Sequence, residues 1–254
     1  MLIILGTLAV HVAGNKAAGF VNEMADRQTV LQGKLEIGHF SASVSGNVVF
    51  ENVVWTAPDG KKLAEVPEMN VSANLFDILK GSFGINSINS ISIEKPQFAV
   101  NYTDKDGLDI INYINFSDKD DETPTEFRGM VEITDGALAL DMNGQKLDFD
   151  NVAMQANLKQ FPDIKFTLQG KNGDADLIGN IDKTYDDVSI GAEVKNLQIT
   201  ELMKVLPSFG ELSITGGVIN GAKLAAGLHE AQWNLNLDGS LSGYRYCEEI
   251  SWTP

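Results

Sequence analysis

The sequence predicts a mainly β protein of bent sheet, with an N-terminal helix and one or two short helices. Three observations carry that reading. From Gly33 onward apolar residues recur at every second position, the period of a strand with one buried face. The runs are short and end at Gly, Asn or Asp, the residues of tight hairpin turns. Near-identical stretches, FENV at 50–53 and FDNV at 149–152, mark the same event twice, a switch in which parity is apolar.

Val48 and Phe50 share one parity, and Val53 and Trp55 the other. Leu147 and Phe149 share one, and Val152, Met154, Ala156 and Leu158 the other. A third case needs no Phe: Val188, Ile190, Ala192 and Val194 precede Lys195-Asn196, then Leu197 and Ile199 change parity. Losing or gaining one residue turns every later side chain of a strand to the opposite face. A β-bulge at the Asn restores the apolar set to the core side, because Asn tolerates left-handed backbone angles. A plain turn between two separate strands would leave the same letters. Either way the sheet bends there.

The remaining elements follow in order. Residues 1–31 read as an N-terminal helix: Met1 to Val10 are apolar, and Ala17, Phe20, Val21, Met24 and Ala25 continue at helical spacing. Ten apolar residues are too few for a membrane span of about 20, and no basic residues precede them as in a signal peptide. The segment reads as the outer half of a membrane anchor; an atypical signal region or a buried helix is the alternative. A first β module covers 32–103, with strands around Val48–Trp55, Met69–Ala73, Ile91–Ile93 and Phe98–Tyr102 and a short helix near 74–80. Pro96 cannot donate to a ladder, so it marks a break or strand start. Residues 104–127 form an acidic linker: 104–126 holds two bases and eight acids, a local charge of 2 − 8 = −6. Its middle, LDIINYINF, can pack as a short amphipathic helix, and SDKDDETPTE is a solvated loop. A second β module covers 128–243, with another short helix at ITELMKVLPSFG, and 244–254 is an irregular tail.

Composition narrows the function. At 254 residues and 43% apolar the chain can build a real core. A net charge of −16 argues against nucleic acid, and against docking on anionic lipid through basic patches. Cys247 is the single cysteine and forms no internal disulfide. Asp104, Asp106 and Asp109 suggest a calcium loop, but an EF-hand needs Gly sixth and Glu twelfth, where Asp109 and Asn115 stand. His11, His39 and His229 lack ligand spacing for zinc. Adjacent carboxylates such as Asp120-Asp121 point to opposite faces of a strand, and no nucleophile elbow or phosphate loop is present. No catalytic, cofactor or metal residue is assigned, and the protein reads as a non-enzyme.

One longer stretch is family-specific in its order and spacing. Residues 46–53 give a glycine and then apolar alternation into Asn-Val; Asp59 to Ala64 give a DGKxLA turn; Val71 to Gly81 give a VxANLxxL-type helix entry; and Ile91 to Pro96 give IxIxxP. In this it resembles the N-terminal region of the AsmA-like family, the AsmA/TamB type, over about residues 20–160. Members usually carry a whole membrane helix and run for many hundreds of residues, so this chain reads as a fragment. The resemblance implies an elongated, strongly curled antiparallel sheet with an apolar open groove, held at the inner membrane by a single-pass anchor with its bulk in the periplasm of a double-membraned bacterium. It implies a non-catalytic role in phospholipid transport or outer-membrane biogenesis, with a phospholipid or other acyl-chain lipid as partner and an outer-membrane assembly protein as a further one. The inward positions of the second module, Val131, Ile133, Leu138, Leu140, Leu147, Phe149, Met154 and Leu158, are then the groove-lining candidates. The alternatives are a secreted β-solenoid or adhesin-like protein with a dry core, and a polysaccharide-degrading β-solenoid enzyme.

Overall fold

The computed structural model describes residues 31–43, 46–74, 77, 85–114, 127–201, 212–229 and 232–248. The expected N-terminal helix, the helix near 74–80, most of the 199–210 helix and the acid-rich end of the linker lie outside these residues.

Alternating sequence becomes strand almost throughout. The strands are β1 (Lys34–Ala42), β2 (Asn47–Thr56), β3 (Lys62–Ala73), β4 (Ile88–Glu94), β5 (Gln97–Thr103), β6 (Gly107–Leu108), β7 (Met130–Met142), β8 (Gln145–Asn157), β9 (Ile164–Asn172), β10 (Ala175–Thr184), β11 (Asp187–Gln198), β12 (Leu212–His229) and β13 (Gln232–Glu248). A 3-10 turn at Ile85–Ser87 and a short helix α1 (Asp109–Asn112) are helical, as are residue 77 and residues 199–201 at the start of the expected 199–210 helix. All thirteen strands belong to one sheet, in the order β1-β2-β3-β4-β7-β8-β9-β10-β11-β12-β13, with β5 between β3 and β7 and β6 on β5.

Two features differ from the expected pattern. The sheet is mixed: β4 and β5 both run parallel to β7. The linker is the reason, since the chain leaves the top of β5, passes through β6 and α1, and re-enters at the bottom of β7. The modules at 32–103 and 128–243 therefore share one sheet. The second difference is at the end, where β13 continues to Glu248 instead of stopping near Gly243. Residues 245–248 pair with Leu212–Gly216 of β12, and backbone pairing holds them where apolar alternation has lapsed.

The parity switches are real backbone events. Asn52, Asn151 and Asn196 have φ of 55°, 51° and 54°, the left-handed region. In β2, burial follows Val48 and Phe50, then Val53 and Trp55, so both parities reach the core across Asn52. The kinks line up on neighbouring strands. Ile37↔Val53 and His39↔Glu51 bracket Gly38 opposite Asn52, and Glu51↔Glu68 and Val53↔Val66 bracket Asn52 opposite Pro67. A Cβ on Gly38 would sit 2.9 Å from Asn52 Cβ, so only glycine fits the approach. Farther along, Lys95-Pro96 separates β4 from β5 beside Asp135-Gly136 of β7; Lys95 and Asp135 also have positive φ, 51° and 52°. There Lys95 N–H donates to Thr134 O at 2.8 Å and Ala137 N–H to Pro96 O at 2.7 Å. Beyond β7 the register against β8 slips by one at Gly136↔Val152 and returns, which is the bulge around Asn151. A continuous seam thus crosses the sheet from β1 to β8, and Pro67 and Pro96 sit on it, where no ladder donor is needed.

The core lies on one face of the first strands. Phe50, Leu63, Val66, Met69 and Ile88 are 0% exposed, and Leu35, Ile37, Val53, Trp55, Val71, Ile91, Ile93 and Ile133 join them. The α1 region packs onto it through Ile110, Tyr113 and Ile114, with Leu31 bridging to Ile114. Trp55 Nε1–H donates to Gln32 O at 3.0 Å, so the buried indole is satisfied. Asp109, one of the calcium-loop candidates, anchors this corner: it pairs with Lys61 at 2.5 Å and accepts from Asn101 N–H at 2.8 Å. Asp104 bonds Asn143 and Asp106 bonds Thr103, closing turns. Burial raises the pKa of the Tyr113 hydroxyl, and the nearby Asp59 carboxylate, 3.3 Å away, adds to the effect.

Candidate functional site

From β7 onward the same face is built differently. Successive strands pair so that apolar residues fall opposite one another in rows. One row runs Leu168–Gly179–Ala192–Leu224–Leu237 across β9 to β13. Beside it runs Gly170–Leu177–Val194–Ala222–Gly239, and on the other side Phe166–Ile181–Ile190–Ala226–Leu235. The opposite face is polar, with cross-strand ion pairs Lys165–Asp182 and Lys171–Asp176 at 3.3 Å. Glu193 meets Lys195 at 3.1 Å and Lys223 at 3.4 Å, and the Lys195 hydrogen bond holds its carboxyl below the usual range. Hydrophobic-in, polar-out alternation is the mark of a sheet with one face withdrawn from water.

On the apolar face lies a cavity of about 550 Å³, lined chiefly by Leu138, Phe149, Leu177, Val194, Leu224 and Leu237 among residues of seven strands. That is within the roughly 300–1,000 Å³ range of ligand pockets. Its origin is the small residues in the rows. Between the larger side chains, Gly179 and Ala192 leave the floor low, and a Cβ on Gly179 would meet nothing nearer than Gly191 O at 4.0 Å. The cavity is open to solvent: Leu168 is 41% exposed and Leu237 72%. No polar side chain among the described residues converges in it as a catalytic set would, and they include no grouping able to hold a metal ion.

The eight groove candidates divide. Leu138, Leu140 and Phe149 line the cavity. Leu147, opposite Leu140, is half-buried just beyond it. Val131 and Ile133 lie below the seam and are buried, Ile133 within the core of the first strands, and Met154 packs against that core while facing Leu168 across the strands. Leu158 lies one residue past β8, half-buried, with its N–H donating to Gly129 O at 2.9 Å. Sequence reasoning missed the far wall, Leu177, Val194, Ala222 and Leu224. Alternation in β10 and β11 was a usable signal for the first two. The Gly- and Ala-rich stretch 216–227 hid the other two, because small residues weaken the apolar pattern.

Comparison with family models, with curated proteins and with solved structures gave no match to this chain.

Proposed function

We propose that the protein is a non-catalytic carrier of AsmA/TamB type, holding lipid acyl chains in the open groove of its second half during phospholipid transport or outer-membrane biogenesis. In this reading residues 1–31 anchor it at the inner membrane and the sheet, curled about its kinks, stands in the periplasm. The observation that carries the proposal is the solvent-open apolar cavity on β7–β13, where leucines stand uncovered. Large exposed apolar surface marks a place where something binds. The groove also runs across the strands rather than along them. Six strand spacings from β7 to β13 at about 4.8 Å make about 29 Å, close to the roughly 30 Å hydrocarbon thickness of a bilayer. Two acyl-chain lengths fit that distance. Burying one methylene there is worth about 0.8 kcal/mol, enough over a chain to hold it without any polar contact.

A dry-core reading has its own observation, the closed cluster under β1–β4, so the two uses of the face must be separated by experiment. Leu140 lies in the cavity wall and is half-buried, and aspartate there sets a charge in the acyl path. The expected result for Leu140→Asp is near-normal melting with co-purifying phospholipid lost, read by mass spectrometry. If the wild-type protein, gently extracted, carries no lipid while Leu140→Asp simply unfolds, the cavity is a core and the carrier reading is abandoned.

A further inference from the structure

Strands β9 to β12 carry five lysines, and four of them behave alike. Lys165, Lys171, Lys195 and Lys223 stand on the polar face, each within 3.4 Å of a carboxylate. Lys183 differs in both respects. It follows Leu177, Gly179 and Ile181 at every second position of β10, a strand that pairs with β9 and β11 without slippage, so it belongs to the apolar face. There it lies in the row Ile164–Lys183–Val188–Leu228, at the β10–β11 hairpin end of the groove. Among the described residues it forms no ion pair, and its ammonium donates to Pro162 O at 3.2 Å. Three carboxylates at this end of the strands have other partners. Asp163 accepts from Tyr185 N–H at 2.9 Å, Asp182 holds Lys165 at 3.3 Å, and Asp187 meets His229 at 2.6 Å.

We infer that the groove takes acyl lipids with an anionic end group, a phosphate or a carboxylate, and that Lys183 holds that group at the rim. The inference rests on the carrier reading and adds to it the chemistry of the cargo's head. Gly179, on the cavity floor, is four residues back along β10, about 13 Å. Ile181 stands between them on the same face, 38% exposed, with Phe166 and Ile190 beside it. The apolar path out of the cavity therefore ends at a cation. A lysine in that place lays its methylenes on apolar neighbours and carries its charge to the water. One N–H goes to Pro162 O, which leaves the ammonium's other N–H groups for the oxygens of an anion. An ionised acceptor makes such hydrogen bonds short and about twice as strong as neutral ones. A neutral end group gains no such strength.

Equilibrium binding of three single-chain probes to the full chain tests it: dodecyl phosphate, laurate and dodecanol, at about pH 8, where phosphate and carboxylate are both ionised. The two anionic probes should bind about tenfold more tightly than dodecanol, the worth of one hydrogen bond to a charged group. Lys183→Gln removes the charge and keeps an amide donor for Pro162 O. It should erase the preference and leave dodecanol binding unchanged, whereas Lys183→Arg should keep the preference. Inorganic phosphate alone should not compete with dodecyl phosphate. If none of the probes binds, dodecanol included, the carrier reading falls and this inference with it. Dodecanol bound as tightly as the anionic probes would leave the groove standing and overturn the anionic head alone. A preference that survives Lys183→Gln would put the anion elsewhere, and one lost equally in Lys183→Arg would reduce Lys183 to a structural part of the loop. Inorganic phosphate competing as well as dodecyl phosphate itself would make the rim a free-anion site unconnected with the groove. Each of these three results overturns the inference.

Discussion

Asn52, Asn151 and Asn196 do the same work at three places, and the backbone says why asparagine was chosen. Each sits at positive φ within a strand, where a β-branched side chain clashes and glycine adds freedom to the unfolded chain. Asp135 holds a similar angle in the same seam and shares that tolerance; Lys95 does not, and it persists because pairing on both sides fixes it. At Asn151, Asn151→Gly should fold with little change, whereas Asn151→Val should cost about 1–2 kcal/mol for the forced left-handed angle. Urea denaturation of the two variants checks this. Equal stability for Val and Asn would mean that the strand runs straight through.

Within the elements, the contrast between the halves comes from side-chain size. In β2 and β3, Phe50, Met69, Val53 and Val66 face one another and fill the space, and Phe40 adds a tilted ring contact to Phe50 at 5.5 Å. In β10 and β11 the facing pair is Gly179 and Ala192, and the space stays open. A residue that gives glycine a neighbouring void instead of a close approach is a natural position to fill. Gly179→Ile should occlude the groove without lowering the melting temperature, because a β-branched residue suits a strand better than glycine. The measurement is lipid occupancy beside thermal melting. Undiminished lipid in a folded Gly179→Ile protein would place the acyl chains elsewhere.

For the whole molecule, one sheet has two tasks: its first strands bury their apolar face as a core, and its last seven leave theirs accessible. Anchoring belongs to this scale as well. No described helix is long and apolar enough to cross a membrane, and residues 1–30 are outside the described residues. The anchor reading predicts that the protein expressed with its upstream codons restored stays in the membrane fraction after a carbonate wash. Full release into the supernatant would remove the inner-membrane step from the proposal.

By itself the sequence determined most of the strands and the kinks, since these are local: period-two alternation, a charged residue before Asn, and turn pairs such as Asn143-Gly144 act within a few residues, whereas β1 and the Gly- and Ala-rich body of β12 alternate too weakly to be read. It could not determine that the modules share a sheet, because β4 and β5 meet β7 through pairing across the linker. Nor could it separate Ile133 from Leu138, which carry the same pattern five residues apart on β7. Tertiary structure decided that one enters a filled core and the other an open cavity. The deciding residues stand on other strands: large ones facing Ile133, and, farther along the sheet, the small pair Gly179 and Ala192 that leaves room for the cavity beside Leu138.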